Sequence, residues 1–400
     1  MTKENEQIEI LEELEQDEQE IRQSTEAEIV QKYDEGQARI VIQRNDFLIP
    51  NILQMVKDRD ILNLAPSYQR RKRWNDTKRS HLIESLLMNI PIPPVFLYER
   101  DLAKYEVMDG QQRMDTIRAF FKNEFTLRNL KKWVELNGKH YSDLPSRIQA
   151  GLNRRGLAAV IILTESGQSS KEAMEIRQYV FERLNTGGEK LNPQEIRNCI
   201  YASPFNDILV EIARSELFTS AWDIPPKEPD EPHRASKALE KNRLYSTMAD
   251  CEIVLRFFSM IDMEYFKGGM RKSLNDCMIR MKSLNKKDCE LLKKQYSSLL
   301  QTAKKVYGDF IFRLPNKSGE LMGRHSVPLS DAILVSIYQI GKRKASKLIC
   351  VRDIIVSETK KALLSEHTYQ LLVGRANTKS SIQDRILLIT KIFKKALRQT

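Results

Sequence analysis

Asp109-Gly110-Gln111-Gln112-Arg113 is the stretch whose residue types and spacing are best suited to chemistry. It stands between Tyr105-Glu106-Val107-Met108, which reads as a short strand, and a helical stripe of Met114, Ile117, Phe120 and Phe121. A glycine where a strand hands over to a helix lets backbone N–H groups approach an anion with no Cβ in the way, and the helix start adds favourable partial charge. Arg113 in the first turn adds a forked donor for phosphate oxygens. The two glutamine amides both donate and accept, which suits a nucleobase, a ribose or a phosphate-bound water. The same residues also read as an Asp-Gly turn capping a helix, with the polar groups solvated.

Several elements must position this loop. Asp76 is a plausible N-cap for a helix whose Leu82, Ile83, Leu86, Leu87 and Ile90 share one face, and Pro91 to Pro94 end it. Val95-Phe96-Leu97-Tyr98 then pairs with the strand at Tyr105 across a charged turn. Leu157 to Leu163 predicts a buried strand, and Ser170 through Leu184 a helix that stops at Asn185-Thr186-Gly187-Gly188. Asn192-Pro193-Gln194-Glu195 starts the next helix, with a capping asparagine, proline at the first helical position and glutamate completing a capping box. Beyond Tyr201 the pattern is mostly helical, interrupted by the proline-rich stretch from Trp222 to His233, with apolar helices at Ser330–Tyr338 and Ser380–Leu397.

Three motifs occur in order: Tyr68-Gln69-Arg70, the Asp109–Arg113 stretch, and Phe181-Glu182-Arg183-Leu184-Asn185-Thr186-Gly187-Gly188. Together they resemble the ParB-like, sulfiredoxin-type domain of the GmrS class, found in modification-dependent (type IV, GmrSD-like) restriction proteins, over about Pro66 to Ile200. The resemblance implies an α+β chain: a ParB/sulfiredoxin-like nucleotide-binding domain followed by a mostly α-helical domain. The expected divisions are an acidic helical extension at 1–36, the nucleotide domain at 37–200 and a basic helical domain at 201–400. It further implies a nucleoside triphosphate gripped by Tyr68, Gln69, Arg70, Asp109, Gly110, Gln111, Gln112, Arg113, Asn185 and Thr186. Asp109, Arg113 and Glu182 are the candidate catalytic residues. Glu182 and Asn185 would approach an accompanying Mg2+. For Arg70 the alternative is an exposed basic run, Arg70-Arg71-Lys72-Arg73, and for Asn185 a helix cap. Water activation is left among Asp109, Glu182 and Glu195.

Charge divides the chain. Residues 1–36 hold 13 acidic and three basic side chains, whereas the whole chain is at +11, so the remainder carries +21. Residues 201–400 contribute 35 basic and 22 acidic groups, with runs such as Lys342-Arg343-Lys344. Such a field concentrates polyanions, which makes DNA a possible partner of the C-terminal half. A hydrophobic content of 41% with 30% charged residues excludes collagen-like and wholly disordered chains. No apolar run approaches the roughly 20 residues of a membrane span, and five scattered cysteines without a C-x-x-C pair fit a cytoplasmic protein. No Walker A sequence is present, which excludes a P-loop mechanism, and His325 and His367 lack the partners of an HNH nuclease. What the GmrS resemblance implies is a nucleotide-binding, NTP-hydrolysing protein of restriction or anti-phage defence, coupling nucleotide state to DNA or a nuclease partner. The alternatives are a non-enzymatic ParB-like nucleotide clamp and a regulatory, antitoxin-like subunit.

Overall fold

Among the described residues, β1 (Ile42–Leu48), β2 (Leu62–Asn63), β3 (Val95–Asp101), β4 (Lys104–Asp109) and β5 (Gly156–Ile162) form one mixed sheet in the order β1-β5-β3-β4-β2. β5 runs antiparallel to β1 and parallel to β3, and β4 returns antiparallel to β3. Period-two alternation sets the faces. Leu157, Ala159 and Ile161 of β5 are buried, while Ala158 between them is exposed.

The buried face is covered by helices α2 (Ile49–Lys57), α3 (Asp76–Leu87), α4 (Gln111–Phe121) and α5 (Ser146–Asn153), which follow α1 (Glu26–Gln37) in the chain. Ile52, Ile83, Ile117, Phe120 and Leu152 join Val95, Leu97 and Ile161 in one core. The N-cap of α3 is Asn75 rather than the expected Asp76: its Oδ1 accepts the Lys78 N–H at 2.9 Å, and its extended backbone suits a cap. β1 and α2 lie where the sequence suggests only a mixed stretch.

This computed structural model describes residues 7, 9, 11, 25–37, 40–58, 60–64, 74–163, 179–181, 183–184, 192–229, 231, 235–316, 318–373 and 377–399. Contacts divide the chain into two units, Arg22–Leu191 and Asn192–Thr400, the second including Met1–Ile21. The architecture is α+β: the sheet belongs to the first unit, and helices build the second.

Glu84 braces the first unit. This buried carboxylate on α3 accepts the N–H groups of Lys131, Lys132 and Trp133 on one oxygen, at 2.9, 2.7 and 3.1 Å. Burial penalises its charge, but the three donors outweigh that penalty and hold the carboxyl below its ordinary value of 4.5. Because the folded value is depressed, this contribution is complete above pH 4.5 and is lost as pH falls through the folded value. Glu84→Gln should destabilise by about 1–3 kcal/mol at neutral pH. It should also flatten the acid limb of stability below pH 4.5, measured by urea unfolding across pH. An unchanged acid limb would refute this role.

The second unit buries Trp222 against the rings of Phe218, Phe312 and His325, and packs Phe257, Phe258 and Tyr296 edge to face or tilted. It also encloses the ion pairs Arg197–Glu252 and Arg214–Glu231, each at 2.7 Å, and Arg256–Asp331 at 2.6 Å. Two residues of the acidic N-terminal segment bond to this unit. Gln7 accepts the Arg243 N–H at 2.8 Å, and Glu9 pairs with Arg324 at 2.6 Å. Among the described residues, no helix is long and apolar enough to cross a membrane.

Candidate nucleotide site

At the end of β4 the chain turns through Gly110, which caps α4 at φ 94°, a left-handed backbone that favours glycine. A Cβ there would stand 2.5 Å from Cγ1 of Val95, so both the turn and its packing require glycine. Gly110 has no side chain to cap the helix, and the first helical hydrogen bond runs from Met114 N–H to the Gly110 carbonyl at 2.9 Å. The N–H groups of Gln111, Gln112 and Arg113 therefore open the helix without an intrahelical acceptor.

Arg113 is buried and committed. Nη1 donates to the Pro93 carbonyl and Nη2 to Asp109 Oδ2, both at 2.7 Å. This fastens the first turn of α4 to the entrance of β3 and to the last residue of β4. Gln112 Oε1 accepts the Trp74 N–H at 3.3 Å, tying α4 to the residues preceding α3, while Asp115 takes Arg79 at 3.4 Å and Arg118 at 2.9 Å. Gln111 is half-buried at the helix start.

Among the described residues, the face of the sheet turned away from the core carries a cavity. Its volume is about 620 Å³, and it is lined by Arg44 and Asp46 of β1, Phe96 of β3 and Ala158 and Val160 of β5, with Val180 and Leu184 among its other lining residues. The ladder aligns four positions across the strands: Arg44 opposite Val160, Val160 beside Phe96, and Phe96 opposite Asp109, where β3 and β4 shift register.

Of the residues expected at the site, Asp109, Gly110, Gln111, Gln112 and Arg113 are together at this turn. Tyr68, Gln69, Arg70, Glu182, Asn185 and Thr186 lie outside the described residues. Glu195 is a capping residue: Oε2 accepts the Asn192 N–H at 2.9 Å while Asn192 Oδ1 accepts from Gln194 and Glu195. Among the described residues, no group of three or more His, Cys, Asp or Glu side chains could hold a metal ion. Asp109, the carboxylate at the turn, is engaged by Arg113, and the expected Mg2+ ligands Glu182 and Asn185 lie outside the described residues. Sequence reasoning missed Arg44 and Asp46. The available signal is the alternation of Ile42, Arg44 and Asp46 with Gln43, Asn45 and Phe47, masked because both sets contain polar residues.

Residues 49–202 match the model of the family described as GmrSD restriction endonuclease, N-terminal domain. Over that stretch the chain is similar to a GmrSD-type N-terminal domain. The match runs from the start of α2 through β2 to β5 and past Leu191, leaving β1 outside it and taking in the helix Pro193–Ile200, which belongs to the second unit. No curated protein and no solved structure matches the chain.

Proposed function

We propose that this protein belongs to a GmrSD-like modification-dependent restriction or anti-phage defence system and binds a nucleoside triphosphate at the Asp109–Arg113 turn. The observation that carries the reading is the bare start of α4: three consecutive N–H groups with no side-chain cap, following a left-handed glycine. Magnesium would enter with the nucleotide, through Glu182 and Asn185. The excess of basic residues in the helical half, including Lys342, Arg343 and Lys344, suits engagement of DNA or of a nuclease partner. Hydrolysis is the primary reading. One observation favours the clamp instead: both terminal nitrogens of Arg113 are held by Pro93 and Asp109.

The test is a binding screen of the four ribonucleoside triphosphates, with and without magnesium, on the intact chain and on Gln111→Glu. The variant puts a negative charge where the phosphates would sit and should weaken binding at least about tenfold, the effect of ~1.4 kcal/mol of repulsion. An acidic residue at a helix start stabilises the helix, so the loss could not be assigned to unfolding. Absence of nucleotide binding, or equal affinity in the variant, defeats the proposal. Steady-state phosphate release then separates enzyme from clamp.

A further inference from the structure

We infer that the face of the sheet turned away from the core holds a nucleobase slot: the cavity over Phe96, Ala158 and Val160 takes the base of the nucleotide whose phosphates lie at Asp109–Arg113. The inference rests on the nucleotide reading above and assigns the part of the ligand that the turn leaves unaccounted for.

Four observations converge. The cavity's volume, about 620 Å³, is that of a small-ligand site. Its floor is apolar, with an aromatic ring from Phe96 and the small side chain of Ala158 leaving room for a flat ring. Its β1 edge is polar: Arg44 offers donors and Asp46 acceptors, the pair needed to read the mixed donor and acceptor edge of a base. Both are exposed, so they are accessible to a ligand.

The fourth observation is continuity with the turn. Pro94 lines the cavity while the neighbouring Pro93 carbonyl holds Arg113, and Val95, next along β3, packs on Gly110. Arg44, Val160, Phe96 and Asp109 occupy successive strands in one row, a span of about 14 Å at ~4.8 Å per strand. A nucleotide laid along that row puts its base over Val160 and Phe96, its sugar toward β4 and its phosphates at the start of α4. The base edge faces Arg44 and Asp46, which makes these two residues the determinants of base preference.

The experiment measures affinities of the intact chain for each of the four ribonucleoside triphosphates and for inorganic tripolyphosphate, then repeats them on Ala158→Phe and Asp46→Ala. Ala158 is exposed on a strand, where an aromatic residue is well tolerated, so Ala158→Phe fills the slot without breaking the sheet. It should weaken the preferred nucleotide at least about tenfold and leave tripolyphosphate within about twofold. Asp46→Ala should narrow the spread among the four nucleotides. Tripolyphosphate binding accompanied by an Ala158→Phe chain that binds nucleotide unchanged overturns the slot and leaves the phosphate site standing. So does an intact chain that binds all four nucleotides no better than tripolyphosphate. Failure of every nucleotide and of tripolyphosphate overturns the phosphate site, and the slot with it.

Discussion

Gly110→Ala is expected to destabilise the sheet unit by about 2–5 kcal/mol and to abolish whatever the turn binds. Two independent penalties add. A non-glycine residue at φ 94° carries a left-handed strain of about 1–2 kcal/mol, and the new methyl group meets Val95 Cγ1 at 2.5 Å, an overpacking of about 1–3 kcal/mol. Val95 is itself buried in the core, so it has little room to retreat. The check is denaturant unfolding followed by the fluorescence of Trp74 and Trp133, which both pack against that core. The second penalty is relieved by Val95→Ala and the first is not. The double variant should therefore be less unstable than the sum of the singles predicts, a non-additivity expected of touching residues. Additive losses would show that the methyl contact plays no part.

This glycine also shows how far the sequence could be read. A glycine between a strand and a helix announces a turn, and the strands and helix around it were legible from period-two and period-3.6 patterns alone. What the residue types could not reveal was the commitment of Arg113. An arginine three residues past a strand–helix junction looks like a free phosphate fork. Whether it reaches outward or folds back on Asp109 and Pro93 depends on the path of residues 91–95, which pattern does not encode. β1 was illegible for a related reason. It lies at the sheet edge, exposed along most of its length, so no clean apolar alternation marks it. The cavity wall that Arg44 and Asp46 supply was missed with it.

Charge counting met a different limit. Residues 201–400 are strongly basic by composition, and the natural reading is a positive surface. Yet Arg214, Arg256 and Arg385 are buried, and Arg214 and Arg256 are neutralised by Glu231 and Asp331. These groups serve the helix packing and contribute little to an external field. The surface field is better assigned to exposed groups such as Arg343, Lys344 and Lys347. Composition cannot make this distinction, because a salt bridge between residues 75 positions apart in the chain leaves no local pattern.

Arg256→Met should be the most damaging single change in the helical unit, at about 3–5 kcal/mol. Arg256 on Ala249–Met260 is fully buried and donates from Nε at 2.9 Å and Nη2 at 2.6 Å to one oxygen of Asp331 on Val327–Ile340. Burial already pushes the Asp331 carboxyl above the usual carboxylate range, against the lowering pull of Arg256 and Arg385. Removing Arg256 leaves a buried carboxylate short of its main partner, and breaking such a pair costs about 3–5 kcal/mol. The sign with pH follows. A raised folded value means the native state holds its proton more tightly than the unfolded chain, so the loss is greatest at neutral pH and shrinks as acid protonates Asp331. Arg256→Met with Asp331→Leu replaces both charges by apolar groups and should recover most of the stability, with the pH dependence gone. Calorimetric or urea unfolding of the three variants at neutral and mildly acidic pH reads this directly. A double variant as unstable as Arg256→Met alone would mean that the pair does more than neutralise itself, and would point to Asn377, which Arg256 Nη2 also approaches at 3.4 Å, as a necessary third member.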